Sequence, residues 1–266
     1  MHKLPALLLA ALCLCGCSPQ HQDAVITILG VGKADCILIE TGGKSVMIDT
    51  AEDKDSGVVL GLLEGHNITK LDYLVLTHDD KDHIGSADAV INSVKIGNVI
   101  QADKDEDSKQ YDQYVRAAAD AGITPLRLAQ NTHIDLGRAR LYLYPAQRSS
   151  YSDDNEYSVI AILECGGQRL LFAADALGER LKEFIGMNAG TFSFVKAPYH
   201  GRLDPLSREF YTSVGADYCV ITCSSEEGAD PEVLAILDEL GCKTFLTKDG
   251  SVTAKITSGA LSVSQP

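Results

Sequence analysis

Thr77-His78-Asp79-Asp80-Lys81-Asp82-His83-Ile84-Gly85 is the stretch whose reading decides the fold. Four side chains able to bind a metal, His78, Asp80, Asp82 and His83, fall within six residues. Residues 73–76, just before it, are apolar throughout, the pattern of a strand buried on both faces. Residues 85–94, just after it, have helical spacing. The run therefore sits on a loop at the carboxyl end of a strand, where open α/β sheets place their sites. From a locally extended backbone, His78, Asp80 and Asp82 would point one way, and His83 would turn with the chain. One ion could draw on the first half of the run and a second on the latter half. The plain alternative is a charged surface loop with two incidental histidines. The spacing of the ligands directly behind an apolar strand argues against it.

Outward from this run, residues 24–29 read as a strand. Residues 36–40 and 45–48 are strands joined by Thr41-Gly42-Gly43, a hairpin signal. Residues 55–64 have helical spacing, with Gly65 as a stop. Beyond the run come a strand at 98–100, an acidic loop at 103–107 and a helix at 110–121. Strands follow at 125–128, 132–136 and 140–144, then a hairpin of 158–164 with 169–173 around Gly166-Gly167. The last third alternates: helix 176–185, strand 193–196, helix 205–214, strand 217–222, helix 231–240, strand 243–247. A hairpin across Lys248-Asp249-Gly250 is expected to close the chain. No repeat or low-complexity linker interrupts residues 24–266, which predicts a single α/β domain. Two sheets face to face with helices outside would satisfy the pattern.

The central run resembles the HxHxDH signature of the metallo-β-lactamase fold, with Asp80 in place of the second His. The likeness extends along the chain toward the ComEC-type competence branch of that fold. Leu29-Gly30-Val31-Gly32-Lys33-Ala34-Asp35 and the following Cys36-Ile37-Leu38-Ile39 resemble its opening strand pair. Val46-Met47-Ile48-Asp49-Thr50 is similar to its next strand, and Asn155-Glu156-Tyr157-Ser158 to its Asn-Asn-x-Ser strand entry. Ala173-Ala174-Asp175 resembles a strand ending in Gly-Asp. Lys196-Ala197-Pro198-Tyr199-His200-Gly201 resembles Lys-x-Pro-His-His-Gly, and Thr247-Lys248-Asp249-Gly250 a terminal hairpin. The resemblance implies an αββα four-layer sandwich and a centre of two divalent ions, Zn2+ or Mn2+. By position, His78 and Asp80 would hold the first ion, Asp82, His83 and His200 the second, and Asp175 would bridge them. Asp49 would support the metal loop. A further His that the fold usually brings to the first ion is missing; Asp154 and Asn155 stand there, so Asn155 or water would complete that ion. Tyr199, where the branch has a His, would either donate its phenol proton to a substrate oxygen or simply pack.

The implied chemistry is hydrolysis, in which a water held between two ions loses its proton near neutral pH. Asp82 would orient that water as well as bind metal. The ComEC-like resemblance implies a phosphodiester substrate, DNA among the candidates; fold alone does not fix it. A choline-phosphate esterase, another ester or lactam hydrolase, and a non-enzymatic tethered module are the alternatives. The net charge of −14 disfavours non-specific binding to a phosphate backbone, although bound cations would reverse the local field.

Residues 1–16 have a basic Lys3, an apolar run and small residues at the end, the pattern of a secretory signal. Leu14-Cys15-Gly16-Cys17 resembles a bacterial lipobox, which implies lipidation at Cys17, a spacer over 17–23 and an exported protein anchored to the cell envelope. The membrane would be its partner. Of eight cysteines, five lie beyond this segment: Cys36, Cys165, Cys219, Cys223 and Cys242. An odd set without close pairs is no disulfide framework, although one bridge involving Cys242 is compatible with an oxidising compartment.

Overall fold

The computed structural model describes residues 22–104 and 106–266. The signal segment and Cys17 lie outside the described residues. Gln22 and Asp23, assigned above to the spacer, already belong to the first strand.

Fifteen strands among the described residues form two sheets. The first contains β1 (Gln22–Ile28), β2 (Ile37–Thr41), β3 (Lys44–Ile48), β4 (Lys70–Leu76), β5 (Lys95–Ala102) and β6 (Leu126–Leu128). It is completed by β14 (Val252–Thr257) and β15 (Ala260–Ser264), in the order β15-β14-β1-β2-β3-β4-β5-β6. The second contains β7 (Thr132–Asp135), β8 (Ala139–Tyr144), β9 (Ile160–Cys165), β10 (Gln168–Phe172), β11 (Phe194–Lys196), β12 (Tyr218–Ile221) and β13 (Lys243–Leu246). Its order is β13-β12-β11-β10-β9-β8-β7.

Period-two alternation builds three apolar layers. Ile37, Ile39 and Val75 face the space between the sheets, against Leu141, Leu163, Phe172 and Phe194. Their neighbours Leu38, Leu74 and Leu76 face the other way. There they are covered by α1 (Ser56–Gly65), α3 (Ala87–Ser93) and α4 (Lys109–Asp120). The outer face of the second sheet is covered by α5 (Gly178–Gly186), α6 (Ser207–Val214) and α7 (Pro231–Glu239). The result is the four-layer αββα sandwich. Helix α4 starts where Ser108 accepts a hydrogen bond from the Tyr111 amide and buries Tyr111, Tyr114, Ala117 and Ala118 on one face.

Both tight hairpins form where expected. Gly42 and Gly43 have φ of 58° and 76°, and Gly166 and Gly167 have 57° and 81°. Two successive positive φ angles are what a two-residue hairpin turn demands.

Two expectations are corrected. The terminal hairpin does not span Lys248-Asp249-Gly250: β13 and β14 lie in different sheets, and Thr247–Asp249 is a 3-10 turn that carries the chain across. The hairpin proper joins β14 to β15. Nor does the metal run stay extended with one helix over 85–94. Helix α2 (Lys81–Ile84) begins inside it, and α3 follows separately. The Asp80 carbonyl accepts from the amides of His83 (2.9 Å) and Ile84 (3.0 Å), so the chain coils as soon as it passes Asp80.

The first sheet is parallel from β3 to β6 and the second from β10 to β13. Asp49 follows β3, the metal run follows β4, Asp175 follows β10, His200 follows β11 and Thr222 follows β12. These residues thus emerge from the carboxyl ends of parallel strands, whereas Asn155 and Ser158 follow β8, which pairs antiparallel on both sides.

Candidate metal centre

The topology brings His78, Asp82, His83, Asp175 and His200 together, although up to 122 residues separate them in the chain. All five are buried. Ligand atoms of His78, His83 and Asp175 lie within 4.8 Å of one another, and so do those of Asp82, His83 and His200. Asp175 reaches both halves: its carboxylate is 3.3 Å from His83 Nε2 and 3.0 Å from His200 Nε2. Asp82 Oδ2 is 3.5 Å from His200 Nε2.

The three histidines share one arrangement. His83 Nδ1 donates to Asp49 Oδ2 at 2.8 Å. His200 Nδ1 donates to Thr222 Oγ1 at 2.9 Å, and that hydroxyl donates to Asp35 Oδ1 at 2.6 Å. The Thr77 hydroxyl donates to Asp49 Oδ2 at 2.7 Å, which leaves its oxygen to accept from His78 Nδ1 at 3.2 Å. These partners set each tautomer with the proton on Nδ1. The opposite atoms, Nε2 of His78, His83 and His200, are buried and have no hydrogen-bond partner among the described residues, and neither does Asp175 Oδ1. Buried polar atoms are nearly always satisfied. Three orphaned imidazole nitrogens and a carboxylate oxygen around one space fit a divalent cation, with the Nδ1 contacts as its outer support.

Electrostatics agree. Burial, with His83 nearby, drives the His78 pKa down to about 3, so its ring is neutral and its lone pair free. Burial also opposes charge on His83, yet Asp175 and Asp49 outweigh it and hold its pKa well above the usual range. The Asp82 and Asp175 carboxyls are held low despite their burial, Asp82 chiefly by His200 and His83, Asp175 by the same two rings. Protons on these rings stand where cations would otherwise balance the carboxylates.

Of the remaining candidates, Asp80 and Asp49 lie beside this group. Asp80 stays at the rim, 42% exposed, 3.8 Å from His78 Nε2. It is not among the converging ligand sets, which is a consequence of its place at the start of α2. Asp49 is fully buried and takes up the Thr77 amide (2.8 Å) as well as His83, so it supports the loop. Asn155 lies on a 3-10 turn fixed by a capping box between Asp153 and Glu156; its Oδ1 is buried without a partner. Tyr199 is half-buried, and no hydrogen bond or ring contact ties its phenol to the cluster.

Sequence reasoning gave no role to Asp35, Lys33 or Thr222. Asp35 is buried between the Lys196 ammonium, which it touches closely, and the Thr222 hydroxyl. Lys33, partly exposed at the edge, donates to Asp82 Oδ2 at 3.0 Å. Ser158 accepts the Asp175 amide on Oγ (3.2 Å), and the fully buried Arg180 pins the Ser158 carbonyl at 2.9 Å. The one signal for Asp35 and Lys33 was their position in a Gly-rich loop after a strand.

Backbone strain is concentrated here. Asp49, Ala51, Ala174, Tyr199 and His200 have φ between 47° and 59°, each costing on the order of 1 kcal/mol. Ala174 takes up the left-handed conformation that glycine adopts freely. Its carbonyl accepts from Lys196 Nζ and the Tyr199 amide, both at 3.1 Å.

A model of the Metallo-beta-lactamase superfamily matches residues 29–207. Among curated proteins, ComE operon protein 3 of Bacillus subtilis is 22% identical over 194 residues, 70% of this chain and 25% of its own length. Competence protein ComA of Neisseria gonorrhoeae is 24% identical over 204 residues, 75% of this chain and 27% of its own. The chain therefore spans about a quarter of the length of these relatives. Among solved structures, the metallo-beta-lactamase fold protein YhfI from Bacillus subtilis superposes with a TM-score of 0.61 at 12% identity, covering 91% of this chain and all of that one. Igni18, a metallo hydrolase from Ignicoccus hospitalis, gives 0.54 at 18% identity, covering 86% of this chain and 98% of its own. Sequence match, layer order and ligand geometry agree, and the chain belongs to the metallo-beta-lactamase superfamily, with its curated likenesses among competence proteins.

Proposed function

We propose that this protein is a two-metal hydrolase of phosphodiesters, DNA among them, acting outside the cell from a lipid tether at Cys17. The observation that carries the metal part is the trio of buried histidines with Nδ1 engaged and Nε2 unpartnered. Asp82, His83 and His200 would hold one ion, His78 and Asp80 with Asn155 the other, and Asp175 would lie between them. His83 offers a single free nitrogen and stands in the set with His78 and Asp175 as well as in the set with Asp82 and His200, so it can complete only one of those two. The ion on the Asp82, His83 and His200 side is the tighter.

Zn2+ or Mn2+, when bound, supplies Lewis-acid activation of water and compensates charge on the leaving oxygen. The protein supplies the rest. Asp82 has one oxygen tied to Lys33 and makes no hydrogen bond through the other, which is left to accept from the attacking water and orient it. Lys33, at the mouth, offers a cation to an anionic substrate. The Tyr199 phenol has no hydrogen-bond partner among the described residues and would donate to a departing oxygen. The likeness to competence proteins supports DNA as the substrate, and the signal-like segment supports export.

The test is a screen with manganese or zinc against a bis-aryl phosphate, single-stranded DNA, a choline phosphate ester and a lactam, beside His83→Ala. Turnover of a phosphodiester that His83→Ala abolishes is the expected result. Turnover unaffected by the substitution removes the mechanism, and turnover of the lactam alone removes the substrate class. A second reading, a tethered binding module with an incomplete centre, draws on Asp80, whose carboxylate stays at the rim. A protein that binds metal yet hydrolyses none of the four substrates favours it.

A further inference from the structure

Asp35 belongs to the loop between β1 and β2 of the first sheet, yet most of its partners lie elsewhere. Its amide donates to the Asp82 carbonyl at 3.0 Å, and its carbonyl accepts from the Ala51 amide at 2.8 Å. Its side chain reaches across the site to the second sheet. Oδ1 accepts from the Thr222 hydroxyl, 187 residues away, and Oδ2 receives the Lys196 ammonium. Lys196 is wholly buried and also lies 3.7 Å from Asp175 Oδ1, with its third contact on the Ala174 carbonyl. Thr222, held at its hydrogen by Asp35, can only accept from His200 on its hydroxyl (2.9 Å), and its carbonyl lies 3.2 Å from the same nitrogen; together they set His200 Nδ1 as the donor and turn Nε2 toward Asp82 and Asp175.

We infer that Asp35 is a positioning residue for the metal centre, orienting His200 through Thr222 and Asp175 through Lys196 while its backbone holds the Asp82 loop. This rests on the metal-dependent reading above. Asp49, the other carboxylate that supports a ligand histidine, contacts His83 and Thr77, both from the first sheet. The arrangement makes the His200 side of the centre depend on a group that touches neither ion nor substrate. Outer partners of metal-binding histidines typically contribute about 10- to 100-fold in affinity.

The test is calorimetric titration of the metal-stripped full domain with zinc, comparing wild type with Thr222→Val, Thr222→Ser and Asp35→Asn. Thr222→Val removes only the relay hydroxyl and keeps the shape of the side chain. Thr222→Val is expected to weaken one of the two zinc-binding steps about 10- to 100-fold and leave the other unchanged. Thr222→Ser is expected to restore it, and Asp35→Asn to weaken the same step at least as much. In the proton spectrum of the zinc-loaded protein, Thr222→Val should lose one of the downfield Nδ1–H signals. Equal zinc affinity in wild type and Thr222→Val overturns the inference, as does an equal loss of both steps, which is a folding effect. A wild type that binds zinc but hydrolyses nothing leaves the relay standing and removes the proposed reaction. A wild type that binds none removes both.

Discussion

At the residue scale the metal centre depends on where protons sit. His83 keeps its Nδ1 proton on Asp49, and Asp49 also receives the amide and hydroxyl of Thr77. Asp49→Ala therefore strips three donors of their acceptor inside a dry layer. We expect it to lower stability by about 3 kcal/mol and metal affinity about 10- to 100-fold, read by denaturant titration and calorimetry. A loss below about 1 kcal/mol would mean that Asp49 is not the anchor described.

Asp79 gives a second residue-scale prediction. It is 5% exposed, both its oxygens lack hydrogen-bond partners among the described residues, and burial lifts its pKa to about 7 against the pull of Lys104. A carboxyl that is protonated in the fold up to about pH 7, but ionised above its ordinary value when unfolded, binds more protons in the native state across that window. Stability contributed by this group is therefore present at acid pH and is lost as pH rises from about 4 to about 7. Its size is on the order of 4 kcal/mol. Asp79→Asn should flatten the stability profile over that range and stabilise the protein at pH 8. An Asp79→Asn profile that keeps the wild-type slope would contradict the assignment.

At the element scale, the decisive features are short turns rather than long helices. Gly85 follows α2, and a Cβ there would stand 2.4 Å from the Lys81 carbonyl oxygen, 2.5 Å from the Asp53 amide and 2.6 Å from Glu52 Cα. All three are backbone, so nothing flexible can yield. Gly85→Ala is expected to destabilise the protein by about 3 kcal/mol or more and to weaken metal binding by shifting His83, whose carbonyl receives the Thr50 amide at 2.6 Å. Unchanged melting and zinc affinity would show that the α2 turn is looser than its contacts imply.

The same scale shows how far the sequence could be read. Gly42-Gly43 and Gly166-Gly167 declared their hairpins because a tight turn has a local chemistry. His78, Asp82 and His83 declared themselves by density. The crossover at Thr247–Asp249 did not, because Lys-Asp-Gly suits a hairpin equally and only the sheet order shows that the flanking strands part. Helix α2 was hidden by its length of four residues, too short for any periodicity. Asp35 and Thr222 were illegible because their roles consist of contacts between residues far apart in the chain.

For the whole molecule, two half-sheets converge on one rim, and the centre lies between layers that apolar packing alone would hold together. Charge is what the packing leaves unsettled. Asp35, Asp49, Asp82 and Asp175 are buried around the site; Lys196 contacts Asp35 and Asp175, Lys33 contacts Asp82, and Asp49 faces His83. Bound ions would therefore stabilise the fold without being required to form it. At about 100 times the dissociation constant a ligand adds roughly 3 kcal/mol, and for a domain of this size that is on the order of 10 °C in melting temperature. Chelation should lower the melting temperature by that amount and leave a cooperative transition. A transition unmoved by chelator and by added zinc would mean that no ion binds the folded state preferentially.

The central claim is that the unpartnered Nε2 atoms of His78, His83 and His200, with Asp175, face divalent ions. Anomalous diffraction from crystals grown with excess manganese or zinc tests it most directly. A strong peak is expected within bonding distance of His83 and His200 Nε2 and an Asp175 oxygen, with a second, weaker peak on the His78 side. Crystals that hold those side chains as described here, grown in excess metal and showing no anomalous density among them, would contradict it.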